Sequence, residues 1–350
     1  MNYNNTHKSI TLFKNSGRSS IYISLMLMVS LVCNVFAMFL PFSKVSRLLR
    51  ADIVMTLPGS ISMMWNDHLQ VVAVLILFFS IIFPFFKLSV LFYLWFFCKS
   101  STIRQKLIHY IEPLGKWSML DVFVICIILV LTNRQLFVAS EIMPGVYFFL
   151  VAILLSIFSA LKIEKLSLLK GAAKEDEEIA IIKLQRMDYF DRGMITALLM
   201  LSITSLVMAI NIPYLKITDF FLQHNEYSIM TSFTTLWDKS EVLMIFILVT
   251  LIICPLLHII GLIIIWQFNL NKKNNLRLQN IVHIISKFDM LDVFLLSLLL
   301  FMTEGKWLIA TERQFGLSML IVFLVSTFLI PIMIRGSHKK FTKLFVNARK

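Results

Sequence analysis

The chain has 350 residues, of which 58% are hydrophobic and only 15% charged, with a mean hydropathy of +0.82. Soluble domains of this length do not carry that balance, so a water-soluble enzyme fold is excluded and a multi-pass membrane protein is indicated. The net charge of +13 is not gathered into a soluble basic face, which argues against nucleic acid as a partner.

A membrane-spanning helix needs about 20 predominantly apolar residues. Eight apolar runs meet or approach that length, at 21–40, 69–97, 117–131, 143–161, 194–212, 242–268, 290–303 and 315–334. The third and seventh are short and are expected to begin upstream, near Glu112 and Ile284. A polar, basic leader (1–20) precedes the first run. That run lacks a small-residue cleavage site and is expected to remain as an uncleaved anchor. The connections at 43–68 and 215–240 are the longest. The segment Leu215 to Phe221 and the segment Tyr227 to Trp237 are rich in β-branched and aromatic residues, which predicts short strands. Leu107, Ile108, Ile111 and Leu114 share one helical face, as do Leu278, Val282 and Ile285, so each segment is read as an interfacial amphipathic helix. The polar stretch 162–192 reads as a linker with a short helix following Lys174-Glu175-Asp176-Glu177-Glu178. The end of the chain, 335–350, is a basic tail.

The eight runs form two sets of four. Lys116-Trp117-Ser118-Met119-Leu120-Asp121-Val122-Phe123 returns 171 residues later as Lys287-Phe288-Asp289-Met290-Leu291-Asp292-Val293-Phe294, identical at six positions of eight. At the same offset, or one residue more, Pro41-Phe42 matches Pro213-Tyr214, Trp65 matches Trp237, Pro84 matches Pro255, Thr132 matches Thr303, Glu141 matches Glu312 and Gly145 matches Gly316. Such regularity marks a tandem duplication with parallel halves, 21–161 and 193–334. Of the 33 Lys and Arg residues, 24 fall on the segments that are inside if the amino terminus is inside. This positive-inside bias places both termini in the cytoplasm and the strand-rich connections on the outer face. The expected fold is therefore all-α and polytopic, with eight transmembrane helices in two tandem four-helix repeats and short extracytoplasmic strands.

Charged residues within apolar runs are costly and direct attention to function. Lys87 lies ten residues before the end of its run, roughly 15 Å deep, and Asp121 lies roughly 13 Å deep on the next run, at about 1.5 Å per residue. Matching depth makes a Lys87–Asp121 ion pair the expectation, either a working element or a static tie between helices. His258 and Asp292 take the same places in the second repeat, with Asp289 one turn before Asp292. Histidine ordinarily changes charge near neutral pH, which suits proton handling. Pro84 and Pro255, three residues before the cations, are expected to kink their helices. Thr132, Thr303, Glu141 and Glu312 recur near the outer ends as secondary candidates, and Trp65, Trp237, Tyr147 and Trp307 read as interface anchors. The four cysteines, Cys33, Cys98, Cys126 and Cys254, form no paired CxxC and read as apolar filler. No nucleophile–base arrangement, phosphate loop or metal cluster is present in the sequence. Neither catalysis nor a cofactor or metal is expected.

Three stretches carry a family resemblance: Trp117-Ser118-Met119-Leu120-Asp121-Val122-Phe123, the segment Ser80-Ile81-Ile82-Phe83-Pro84-Phe85-Phe86-Lys87-Leu88, and Pro144-Gly145. Together they resemble the paraquat-inducible protein A (PqiA/LetA) family over nearly the whole chain. The resemblance implies a Gram-negative inner-membrane protein that works beside an MCE-domain periplasmic protein and moves phospholipid towards or from the outer membrane. A passive scaffold for that conduit is the alternative. Longer members carry cytoplasmic zinc ribbons with paired CxxC motifs; this chain has cysteine-free leaders in those places, so zinc is not carried over. The second repeat also departs from the first, with Phe288-Asp289 for Trp117-Ser118 and His258 for Lys87.

Overall fold

The computed structural model describes residues 18–47, 50–66, 70–100, 103–104, 106–108, 110, 115–132, 138–168, 189–218, 224–267, 272–304 and 311–347. The fold is predominantly helical, with two three-stranded sheets. Among the described residues, six helices are long and apolar enough to cross a membrane: Ser20–Phe39, Ala73–Phe96, Pro144–Leu166, Gly193–Asn211, Glu241–Gln267 and Phe315–Met333. They expose large apolar side chains, among them Ile21, Leu25, Phe86 and Phe328, which water would not tolerate over such an extent. The protein is an all-α polytopic membrane protein.

Backbone contacts divide the chain into two units, 1–125 with 137–172 and 126–136 with 173–350. In the first, α1 (Arg18–Phe39) leads into strands β1 (Pro41–Arg47) and β2 (Arg50–Thr56), then α2 (Leu57–Asn66). Helix α3 runs through three pieces: Gln70–Ile76, a π-helical turn Leu77–Ile82, and Phe83–Phe96. A 3-10 turn, Gly115–Met119, opens α4 (Leu120–Thr132), and β3 (Val138–Ile142) precedes α5 (Pro144–Leu168). The sheet order is β2-β1-β3, with both pairings antiparallel.

Helices α1 and α5 pack along their length, tied where the Ser30 hydroxyl donates to the Ala152 carbonyl at 2.7 Å. Leu88, Leu91, Leu94 and Trp95 of α3 pack with Ile23, Leu27 and Ile163 into a buried cluster. There the Trp95 indole Nε1 donates to Ser24 Oγ at 3.0 Å. Gly145 is required by close approach: a Cβ there would lie 2.6 Å from the Pro41 carbonyl and 2.9 Å from that of Leu40.

The second unit repeats the plan. It comprises α6 (Tyr189–Asn211), β4 (Leu215–Thr218), β5 (His224–Tyr227), α7 (Ile229–Lys239), α8, α9 (Lys272–Ser286), α10 (Leu291–Glu304), β6 (Thr311–Arg313) and α11 (Phe315–Asn347). Helix α8 joins Glu241–Ile247, a π-turn Leu248–Ile253 and Cys254–Gln267. The sheet order is β5-β4-β6. Trp266 Nε1 donates to Thr196 Oγ1 at 3.1 Å, in the same role as Trp95 with Ser24. A Cβ on Gly316 would meet the Ile212 carbonyl at 2.4 Å, as Gly145 meets Pro41. Tyr214, buried beneath the sheet, shares a hydrogen bond of 2.8 Å with Ser232, and burial pushes its phenol up to about 12.

Two expectations are corrected. Helix α10 starts at Leu291 rather than near Ile284; α4 and α10, of 13 and 14 residues, are shorter than the six spans among the described residues, and Glu112 lies outside those residues. A 3-10 turn precedes α4, and a turn at Lys287–Phe288 separates α10 from α9. The stretch Ile229–Lys239 is helix rather than strand, because Ser228 and Thr231 close a capping box in which each side chain accepts from the other's backbone N–H. The basic tail continues helix α11 as far as Asn347. Residues 126–136 group with the second unit, where the Tyr227 hydroxyl donates to the Leu131 carbonyl at 3.4 Å. The amphipathic segment at 272–286 is a helix, with Val282 buried against Gly261. Most of the leader, the linker at 169–188, Ile111, Leu114 and Trp307 lie outside the described residues.

Candidate functional site in the polar cores of the two units

Each π-turn lies directly before a proline that the sequence places inside a long apolar helix. Proline has no N–H, and its ring clashes with the carbonyl four residues back. Widening the helix by one residue removes the clash. Phe83 N–H bonds to Phe78 O, and Cys254 N–H bonds to Val249 O, both five residues back. The kink expected at Pro84 and Pro255 therefore takes the form of a π-turn, a geometry that recurs at functional sites.

In the first unit the π-turn faces the duplicated motif. Phe79 stacks on Trp117, with centroids 5.7 Å apart and planes 26° apart. Ser80 and Asp121 are both buried, 2% and 4% exposed. The Ser80 hydroxyl interacts with the Asp121 carboxyl, but the contact misses hydrogen-bonding geometry. Neither Ser80 Oγ nor Asp121 Oδ2 has a hydrogen-bond partner. Asp121 lies in the first turn of α4, where free backbone N–H groups and the helix dipole favour negative charge. The motif is thus a helix start, and the 3-10 turn before it replaces the helix assumed in estimating its depth.

Lys87, 2% exposed, does not pair with Asp121. Its ammonium donates to Ser156 Oγ on α5 at 3.0 Å, and the Ser156 hydroxyl in turn donates to the Ile153 carbonyl at 2.8 Å. The tip of Lys87 packs against Gly115, where a Cβ would lie 3.0 Å from Nζ. The expected ion pair is therefore a Lys–Ser contact, with the carboxylate turned towards Ser80.

In the second unit His258 Nδ1 and Asp289 Oδ2 are 3.2 Å apart, both partly buried. The partner of His258 is Asp289, the counterpart of Ser118, rather than Asp292. Asp292 caps its own helix, with Oδ1 accepting from Val293 N–H at 3.0 Å. Leu251 stands where the first unit has Ser80, and the neighbouring Thr250 donates to Phe246 O at 2.8 Å.

The secondary candidates fall elsewhere. Glu141 on β3 stands opposite Lys44 on β1, and Glu312 on β6 stands opposite Lys216 on β4, so both acids take part in oppositely charged cross-strand positions. Thr132 ends α4, and Thr303 is the last residue but one of α10. Trp65 and Trp237 are exposed on α2 and α7. Sequence reasoning missed Ser80, Gly115 and Ser156. Serines are too common in membrane helices to stand out, and only Ser80, four residues before a mid-helix proline, carried a signal.

The model of the family described as paraquat-inducible protein A matches residues 22–170 and again 194–337. The chain belongs to the paraquat-inducible protein A family. The two matched regions each contain one π-turn, one duplicated Asp motif and one sheet. No curated protein and no solved structure matches the chain.

Proposed function

We propose that this paraquat-inducible protein A family member is the inner-membrane component of a lipid-transport system, passing phospholipid to or from an MCE-domain periplasmic protein. It acts without catalysis of its own. The observation that carries the reading is the pair of polar cores, each set at a π-turn inside an apolar helix and facing the start of a short helix. A purely structural anchor has no need to place Lys87, Asp121, His258 and Asp289 within apolar segments at such cost. In this reading α4 and α10, with the turns that precede them, complete eight crossings in two tandem repeats. Both termini are cytoplasmic and the sheets lie on the periplasmic side, as the distribution of Lys and Arg supports.

The test is complementation of a strain lacking this protein, scored by outer-membrane integrity and matched for expression. Asp121→Leu with Lys87→Leu is expected to insert normally and fail to complement. Full complementation by the well-expressed double variant would leave the anchoring role ahead. A reporter fused after Lys350 is expected to be cytoplasmic, and a periplasmic signal there would overturn the topology.

A further inference from the structure

We propose that Ser80 and Asp121 form a binding site for a single monovalent cation, sodium being the best fit, within the first unit. The inference is independent of the lipid-transport reading. It starts from two unpartnered oxygens, Ser80 Oγ and Asp121 Oδ2, on residues 2% and 4% exposed that face each other across α3 and α4. Buried polar groups without a partner are rare and call for a missing ligand. A buried carboxylate calls in addition for a compensating charge.

The buried lysine of the same helix as Ser80 is committed elsewhere: Lys87 donates to Ser156 at 3.0 Å. Pro84 offers no N–H, so the Phe79 carbonyl, one π-turn earlier, receives no main-chain donor from that position. Carboxylate and hydroxyl are oxygen ligands, the kind that hold hard cations, and broken helices in transporters add backbone carbonyls for sodium. One carboxylate is too little charge for a dehydrated divalent ion. Calcium takes six to eight oxygens, and magnesium keeps several waters, for which this sealed interior provides no built shell.

The second unit supplies a contrast. It has the same π-turn and proline, but Leu251 replaces Ser80 and Asp292 Oδ1 is held by Val293 N–H. It also provides its own acid–base contact, His258 with Asp289 at 3.2 Å. One sodium per chain is therefore expected, not two.

The test uses the full chain in nanodiscs at fixed pH and ionic strength, with radioactive sodium binding and the thermal midpoint read as sodium replaces N-methylglucamine. The native protein is expected to bind sodium saturably, one per chain, and to be stabilised by it. Asp121→Asn should abolish binding, and Ser80→Ala should weaken it at least about tenfold, the equivalent of one lost ligand contact. Ser24→Ala, in the Trp95 brace, should leave it unchanged. If Asp121→Asn does not fold, Ser80→Ala alone decides. No saturable sodium binding by the native protein overturns the site, as does sodium binding that survives in folded Asp121→Asn or is unchanged in Ser80→Ala. Equal stabilisation by N-methylglucamine would mean that these oxygens hold only water.

Discussion

Three glycines on long helices give a graded test of how tightly the helix starts are packed. A Cβ on Gly316 would meet three backbone atoms, Ile212 O at 2.4 Å, Pro213 O at 2.5 Å and Pro213 C at 2.8 Å. No side-chain rotation relieves contacts with backbone. The start of α11 must retreat by roughly 0.6 Å to reach even 3.0 Å, the kind of overpacking that costs about 1–3 kcal/mol. Gly145 meets two carbonyls and the Phe42 ring, at 2.6 to 2.9 Å, and the ring can yield, so Gly145→Ala should cost somewhat less. Gly193 on α6 has nothing within 4 Å. There alanine should stabilise by about 0.5–1 kcal/mol, the intrinsic helix preference of Ala over Gly. The assay is thermal unfolding of the three Gly→Ala variants in one detergent, at equal protein concentration. The expected order of midpoints is Gly193→Ala above native, then Gly145→Ala, then Gly316→Ala. Equal midpoints for Gly316→Ala and Gly193→Ala would refute the reasoning, because the backbone contacts would then be without consequence.

Trp95→Phe and Trp266→Phe should each lower stability by about 1 kcal/mol through loss of an indole hydrogen bond, and Ser24→Ala should add little to Trp95→Phe when unfolding of the double variant is measured. Ser228→Ala should destabilise the start of α7 by about 1 kcal/mol, the usual value of an N-cap, and hydrogen exchange at Thr231 and Ser232 should rise. Metal analysis of purified protein should find no stoichiometric zinc, and a stoichiometric signal would count against the reading of the cysteine-free leaders.

The family, matched over two regions, and the membrane class were legible because each rests on long-range regularity: a fixed offset, a run of apolar residues, a charge bias between loops. Lengths of the apolar runs did not reveal that α4 and α10 start late. Hydropathy reports which residues are apolar, not where the helix starts: a 3-10 turn covers Gly115–Met119 before α4, and a turn at Lys287–Phe288 precedes α10. The strand expectation at 229–239 failed because β-branched content was weighed above the capping box at Ser228 and Thr231. Strands β3 and β6 are only five and three residues long; they form because β1 and β4 offer an edge, a tertiary cause with little local signal. The contacts of the buried polar residues differ from the expected pairs: Lys87 meets Ser156 and His258 meets Asp289. Depth along a helix fixes a level, whereas partnership depends on rotation about the axis, and each π-turn alters that rotation by one residue.

The two units share the π-turn but differ at the residues that meet beside it. In the first, the cation at 87 donates to Ser156 and position 118 is a serine whose hydroxyl donates to Gly115 O at 3.0 Å. In the second, the counterparts are His258 and Asp289, in contact at 3.2 Å. The substitutions belong together. The shorter imidazole of His258 contacts Asp289, whereas the longer Lys87 contacts Ser156 on α5. If so, the two changes should be coupled when they are introduced into the first unit. Lys87→His alone leaves Ser156 Oγ without its lysine donor. Ser118→Asp alone buries a second carboxylate near Asp121. Both singles should lose stability, and the Lys87→His, Ser118→Asp double variant should recover at least about 1 kcal/mol relative to the sum of the singles, well beyond the 0.3–0.5 kcal/mol within which independent sites add. Thermal unfolding of the four proteins closes the cycle. A double variant that simply adds the two losses would show that His258 and Asp289 arose independently, and that the second core is not a rewired copy of the first.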